Sequence, residues 1–296
     1  MLLLFAPLGE DKPLGLRNYR SLLRMLEVLG GADPDGEVTE EELARLGMAP
    51  EEAGLILRRL SREDLLERYL DTLARLGITA VTRISPEYPA RLRETLGDGA
   101  PMLLCCAGDL SLFGTECVAL VGSRKLREPG QKFSAALGQA AAQQGLTLVS
   151  GGAAGADTLG MEAALAAGGA GIAFLADSLQ DRMTQHPGEI AEGRLLLVSE
   201  GGFDLPFSIP RAYSRNRLIH AMGQKVFAAQ SDYGVGGTWQ GVTENLKHGW
   251  SPVFMFDGEP EDPGTRGLLE RGCAPVSMED LADLRGLNNR QVSLFE

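Results

Sequence analysis

Short apolar runs alternate with helical patterns from about residue 116 onward. The runs lie at 118–121, 146–149, 171–175, 194–198, 225–229 and 252–256. Glycine turns follow the first two runs, and segments with helical spacing stand between the runs, over 131–144, 156–167, 215–222 and 238–248. Strands that are apolar on both faces and alternate with helices are typical of a parallel sheet covered on both sides. The pattern predicts an α/β fold with a doubly wound, Rossmann-like parallel sheet.

The first quarter of the chain has a different pattern. Residues 17–76 contain little glycine outside one loop, and leucines at 22, 23, 26 and 29 mark one apolar helical stripe. A β-branched run follows at 78–84. We therefore predict a small N-terminal helical domain over 1–78, a Rossmann-like domain over 79–276 and a C-terminal tail over 277–296.

Charge and composition narrow the possible partners. The 296 residues include 28 basic and 40 acidic side chains, so the net charge of −12 should repel nucleic acid and anionic membranes unless a local feature binds them. No apolar stretch has the roughly 20 residues of a membrane span, and we expect a cytoplasmic protein. The four cysteines form no Cys-x-x-Cys pair and the three histidines no cluster. We expect reduced, mostly buried thiols and no metal site.

Three glycine-rich turns follow predicted strands and resemble phosphate cradles. They comprise Gly122, Ser123 and Arg124; Ser150, Gly151, Gly152 and Gly155; and Gly236, Gly237 and Thr238. Glycine lets backbone N–H groups approach an anion, and the carboxyl ends of parallel strands meet at one edge of a sheet. The spacing is neither Gly-x-Gly-x-x-Gly nor a P-loop, so no cofactor is predicted.

The stretch 205–225 is basic inside an acidic chain. It holds Arg211, Arg215, Arg217 and Lys225 without any carboxylate. Arginine suits bidentate phosphate contacts, and the rings of Phe207 and Tyr213 can stack on bases. We expect Ser214, Arg215, Asn216 and Arg217 to begin a helix, where cations oppose the helix dipole unless an anion lies between them.

These residues also resemble a known family. The segments 118–124, 150–157, 198–200, 215–217 and 236–239 are similar, in order and spacing, to the DprA/Smf family of DNA-processing proteins. The resemblance implies a non-enzymatic protein that binds single-stranded DNA, delivers a recombinase and forms a homodimer. The departures are Ala154 and Met161, where the family commonly has arginine and histidine, and the expected lack of a winged helix after residue 276. They point to a side branch of the family.

The last residues contain a candidate docking peptide. Residues 291–295, Gln-Val-Ser-Leu-Phe, resemble the pentapeptide by which bacterial proteins bind the replicative sliding clamp. In such a peptide Leu294 and Phe295 would fill a pocket while Gln291 holds the backbone. The alternative is that both apolar side chains fold back on the core.

Two other functions remain open at this stage. A nucleotide-binding enzyme or sensor of the phosphoribohydrolase-like group would use a similar glycine turn. However, Gln240 stands where the catalytic carboxylate of that group is expected, and an amide cannot act as a general base. Glu200 or Glu244 would have to substitute, with Asp157 or Asp232 holding a ribose. A protein-interaction module on a degenerate scaffold is the third possibility.

Overall fold

The computed structural model describes residues 1–9, 14, 38–45 and 47–287. Its strands are β1 Thr79–Thr82, β2 Leu103–Ala107, β3 Cys117–Val121, β4 Thr147–Ser150, β5 Ala170–Leu175, β6 Leu195–Glu200, β7 Lys225–Ala228, β8 Val253–Phe256 and β9 Ala274–Val276. They form one sheet in the order β1-β2-β6-β5-β4-β3-β7-β8-β9. The pairs β1–β2 and β2–β6 are antiparallel and the others parallel. The predicted fold class is confirmed.

Helices cover both faces of this sheet. They are α1 Leu2–Phe5, α2 Glu40–Arg45, α3 Pro50–Leu60, α4 Glu63–Leu76, α5 Ala90–Leu96, α6 Glu128–Gln143, α7 Ala156–Ala166, α8 Leu179–Met183, α9 Pro187–Ala191, α10 Ile209–Met222, α11 Gly236–His248 and α12 Pro263–Leu269. Short 3-10 turns lie at Gly97–Gly99, Leu110–Gly114 and Glu279–Asp283. On β3, Val118 and Leu120 pack with α6, whereas Ala119 and Val121 pack with α10 and α11. Alternate side chains therefore serve two separate cores.

One predicted helix start is wrong. The basic helix α10 begins at Ile209 rather than at Ser214. Ser208 caps it by accepting a hydrogen bond from the Arg211 backbone N–H at 3.3 Å. Pro210 fits the first turn because a residue there needs no intrahelical N–H bond. Arg215 and Arg217 thus lie in the helix interior, away from the positive end of the dipole.

The helices α2, α3 and α4 agree with a helical N-terminal region, although residues 15–37 lie outside the described residues. Leu8, Leu73 and Ile78 pack against Leu103 and Leu197 of the sheet. At the other end, residues 277–287 lie against the sheet, with Leu281 and Leu284 buried. The division into three domains stays a prediction.

The structure also tests the predictions about the cysteines and about a membrane span. The four cysteines are unpaired and buried, as predicted. Burial raises the pKa of the Cys105 and Cys117 thiols to about 11 and that of Cys273 to about 12. Within the described ranges, no helix is long and apolar enough to cross a membrane, and no group of His, Cys, Asp or Glu side chains could hold a metal ion.

Candidate nucleic-acid interface

A cleft of about 670 Å³ opens at the carboxyl ends of β3, β4 and β7. There the chain leaves the central strand β3 toward β4 on one side and returns through β7 on the other, which is where ligands bind in open α/β sheets. The cleft brings together these predicted residues: Gly122, Ser123, Arg124, Arg215, Asn216, Gly236, Gly237 and Thr238. The first and third glycine turns therefore converge with the basic helix.

The loop after β3 presents the most accessible positive charge. The Ser123 backbone N–H donates to the Gln230 carbonyl at 2.9 Å, and its Oγ accepts from the Lys125 N–H at 3.1 Å. This bonding fixes the turn and leaves the side chains of Arg124 and Lys125 exposed. Neither has a carboxylate partner in the part of the chain that is described, and the Arg124 guanidinium lies 5.7 Å from the Phe207 ring centroid. Both cations are available to an anion.

The loop after β4 closes on a carboxylate of the chain itself. Asp157 Oδ2 accepts from the backbone N–H groups of Gly151 and Ala153, each at 3.2 Å, and from Arg215 Nη1 at 3.2 Å. Gly151 is required because a Cβ there would stand 1.1 Å from Arg215 Nη1. Two amides of this predicted phosphate cradle, and one face of Arg215, are therefore engaged internally.

The other members of the second turn serve the loop itself. Ser150 is fully buried and donates through Oγ to the Leu120 carbonyl at 2.8 Å. Gly152 and Gly155 adopt positive φ angles of 64° and 90°, which L side chains rarely adopt. These three residues do not line the cleft.

The predicted polar residues of α10 separate onto different sides of the helix. Residues turn by about 100° each along a helix, so Ile209, Ala212, Tyr213, Asn216 and His220 form the side that lines the cleft, with Arg215 at its edge. Ser214, Arg211 and Arg217 lie outside it.

The partners of these three side chains are internal. Arg211 donates to the Ala176 and Glu200 carbonyls at 3.2 and 3.1 Å. Arg217 donates to the Gly99 carbonyl at 2.7 Å and to Glu200 Oε1 at 2.9 Å. Ser214 Oγ donates to Glu200 Oε2 at 2.5 Å. The structure therefore brings only one of the three predicted arginines of α10 to the cleft.

The amino terminus of α11 supplies uncompensated backbone donors. Val235 stands at the N-cap position and provides no side-chain cap, and Gly236 has a φ of 83°. The first N–H groups of a helix lack intrahelical acceptors and lie at its positive end. Asn216 Nδ2 donates to the Gly237 carbonyl at 3.2 Å and ties α10 to this turn. Gly236, Gly237 and Thr238 thus make a suitable anion site.

Apolar side chains line the mouth of the cleft. Phe207, Ile209, Tyr213 and Val235 are 51%, 64%, 42% and 61% exposed, and all four line it. Monomeric surfaces seldom group large apolar side chains around a charged cleft. The combination suits a ligand that carries both anionic groups and flat apolar groups.

Sequence reasoning missed His220. It is only 1% exposed but lines the cleft, one helical turn after Asn216 on the same side of α10. Burial lowers the pKa of its imidazole to about 3, so the ring is neutral at physiological pH. The four-residue spacing from Asn216 was the signal that could have found it.

The carboxylates considered for catalysis are dispersed. Glu200 is engaged by Ser214 and Arg217. Glu244 is exposed on α11 and does not line the cleft, whereas Asp157 and Asp232 do. Asp157 is engaged by Arg215 and two amides, as described above.

Comparison with known proteins identifies the family. The sequence profile of the DNA recombination-mediator protein A family matches residues 79–284. The chain belongs to this family. Protein Smf of Escherichia coli K12 is 28% identical over 244 residues, which is 77% of this chain and 63% of Smf. The chain thus spans less than two thirds of the length of that relative.

Two solved structures of the family resemble the fold. DNA processing protein A from Streptococcus pneumoniae has 25% identity and a TM-score of 0.72, covering 93% of this chain and 95% of that one. DNA processing protein A from Helicobacter pylori, solved to study its single-stranded DNA binding mode, has 26% identity and a TM-score of 0.57. The match covers 70% of this chain and 93% of that one. The family resemblance found in the sequence is confirmed.

Proposed function

We propose that the chain binds single-stranded DNA in the cleft at the carboxyl ends of β3, β4 and β7 and serves DNA recombination without catalysis of its own. The observation that carries the proposal is the convergence of open cations, uncompensated helix amides and exposed rings in one cleft. Arg124 and Lys125 with the α11 amides suit phosphates, while Phe207 and Tyr213 suit bases.

The rings favour a single strand over a duplex. In a duplex each base face is covered by its neighbours, so a protein ring can stack only on an unpaired base. Phe207 and Tyr213 both line the cleft, and the Arg124 guanidinium lies 5.7 Å from the Phe207 ring centroid. A base on these rings would keep its phosphate near the guanidinium.

The relatives support the same function. The H. pylori protein binds single-stranded DNA in a mode of its own, and the family is described as a recombination mediator. From the family resemblance of the sequence, we further propose that the chain delivers a recombinase to the bound strand, forms a homodimer and acts in the cytoplasm. Docking on the replicative sliding clamp rests on residues 291–295, which lie outside the described residues.

The side chains considered as bases favour the absence of catalysis. Glu200, the carboxylate first considered as a base, gives its two oxygens to Ser214 and Arg217. Gln240 cannot accept a proton as a base does. Asp157, one of the two carboxylates that line the cleft, is held by Arg215.

Fluorescence anisotropy with labelled oligonucleotides tests the proposal. The parent chain should bind an unpaired dT strand more tightly than the matching duplex. Replacing Phe207 and Tyr213 by alanine should weaken single-strand binding several-fold, because a stacked base contributes about 1–3 kcal/mol. Ile84→Ala is the matched control, since Ile84 is 67% exposed and lies outside the cleft. Equal binding by the parent and the double variant would contradict the proposal.

A further inference from the structure

The buried ring of His220 has a defined proton position. The Ser251 backbone N–H donates to Asn245 Oδ1 at 3.0 Å, which fixes the orientation of that amide. Asn245 Nδ2 therefore donates to His220 Nδ1, 3.0 Å away. Since Nδ1 accepts this bond, the neutral ring carries its hydrogen on Nε2.

The Nε2–H group has no acceptor within the described part of the chain. A ring N–H that meets the opening of a cleft is satisfied there by water or by a ligand oxygen. His220 lines the cleft, and the ring is about 99% buried because only this side of it meets the opening. The donor is therefore directed to the space that a ligand would fill.

Gly241 lets α11 pack closely against the His220 ring. A Cβ on Gly241 would stand 2.9 Å from His220 Nε2, closer than real Cβ contacts allow. Gly241 lies on α11, whose first amides line the same cleft. His220 of α10 and the first residues of α11 thus line the same cleft.

The charges around the cleft indicate the ligand class. Arg124, Lys125 and Arg215 are the cations and Asp157 and Asp232 the anions that line the cleft. Asp157 is held by Arg215, while Arg124 and the α11 amides are open to a ligand. A group with several acceptor oxygens and no hydrogen to donate suits these donors best, and a phosphoryl group has that chemistry.

We propose that His220 is a ligand-binding residue whose Nε2–H donates to an oxygen of a phosphoryl group held at the amino terminus of α11. This inference rests on the proposed function and specifies how the cleft holds the phosphate. The phosphoryl group belongs to an internal diester, to a 5′-terminal phosphate or to a mononucleotide. The experiment below uses a separate probe for each of these three sources.

Two variants separate the donor from the packing of the ring. His220→Gln places an amide N–H near the position of Nε2 and keeps the donor. His220→Asn keeps a polar group beside Asn245 and loses the donor toward the cleft. A third variant, Gly241→Ala, leaves His220 intact but places a methyl group about 2.9 Å from Nε2. Thermal midpoints show that each variant is folded before binding is compared.

Binding is measured by anisotropy with dT oligonucleotides that carry a 5′-phosphate or a 5′-hydroxyl, and by competition with thymidine 5′-monophosphate. We expect His220→Asn and Gly241→Ala to weaken binding about tenfold, since hydrogen bonds to charged groups are the stronger kind, and His220→Gln to restore most of it. Loss only with the 5′-phosphate strand assigns the site to a strand end, and equal loss with both assigns it to a diester. Loss confined to the competitor assigns it to a mononucleotide.

Nitrogen-detected NMR of the histidine rings gives an independent readout. The ring of His220 should show the Nε2–H tautomer, and its signal should shift when the oligonucleotide is added. Unchanged affinity in His220→Asn, or an unshifted ring signal with a bound parent, would overturn this inference alone. A parent chain that binds none of the three probes would overturn the proposed function instead.

Discussion

Replacing Arg124 and Lys125 together by alanine should remove most of the salt dependence of single-strand binding. These are the cations of the cleft that have no carboxylate partner among the described residues. Arg215 should contribute little to the salt dependence, because Asp157 accepts a hydrogen bond from its guanidinium at 3.2 Å. Phosphate contacts by unpaired cations release counterions, and that release makes affinity depend on salt.

The size of the salt dependence follows from two phosphate contacts, one by Arg124 and one by Lys125. Each contact contributes about 0.7 to the slope of log affinity against log salt on a single strand, so the cleft should give a slope of about −1.4. Raising salt from roughly 50 to 200 mM should then weaken the parent about sevenfold and the double variant less than about twofold. Anisotropy titrations at several salt concentrations measure both slopes.

The matched control is Arg68→Ala, which removes one positive charge from an exposed position on α4, outside the cleft. It should keep the parental slope and so separate local contacts from net charge. A double variant with the slope of the parent would refute the reasoning, because the phosphates would then lie elsewhere.

Three further predictions concern other residues. Arg217→Ala should lower the free energy of unfolding by about 1–3 kcal/mol in urea titrations, because it leaves half-buried Glu200 without its guanidinium partner, but should leave the salt slope unchanged. An unfolded histidine takes up a proton near pH 6.5 whereas folded His220 stays neutral to about pH 3, so stability falls as the pH drops through this window. Between pH 7 and 5 the free energy of unfolding of the parent should fall by about 2 kcal/mol more than that of His220→Gln. Equal losses in the two proteins would contradict a neutral, buried His220. In the full chain, Leu294→Ala with Phe295→Ala should abolish clamp binding in a pull-down and leave DNA affinity intact; clamp binding unchanged by both would exclude the peptide.

The fold was largely predictable because its pattern is local. Runs such as 118–121 and 146–149 are apolar on both faces, and only a covered parallel sheet buries them on both sides. The start of α10 was not predictable in this way, since Pro210 breaks a helix in its interior but fits its first turn. Because α10 begins at Ile209 and not at Ser214, Arg215 and Arg217 lie in the interior of the helix and not in its first turn.

The cleft was predictable in place but not in detail. Glycines at 122 and 236–237 located it, because strand ends in a parallel sheet meet. The roles of the arginines depend on distant partners: Arg217 reaches the Gly99 carbonyl, and Arg215 reaches Asp157. No local pattern encodes such contacts, so three arginines that looked like one patch in the sequence are one cleft residue and two structural residues.

Photocrosslinking tests most directly whether single-stranded DNA lies in the cleft. The full chain is irradiated with a single strand that carries 5-iodouracil, and the modified peptides are mapped by mass spectrometry. We expect crosslinks at Phe207 and Tyr213, the exposed rings that line the cleft, and we expect excess unlabelled strand to remove them. Competed crosslinks that fall only on residues outside the cleft would contradict binding in the cleft.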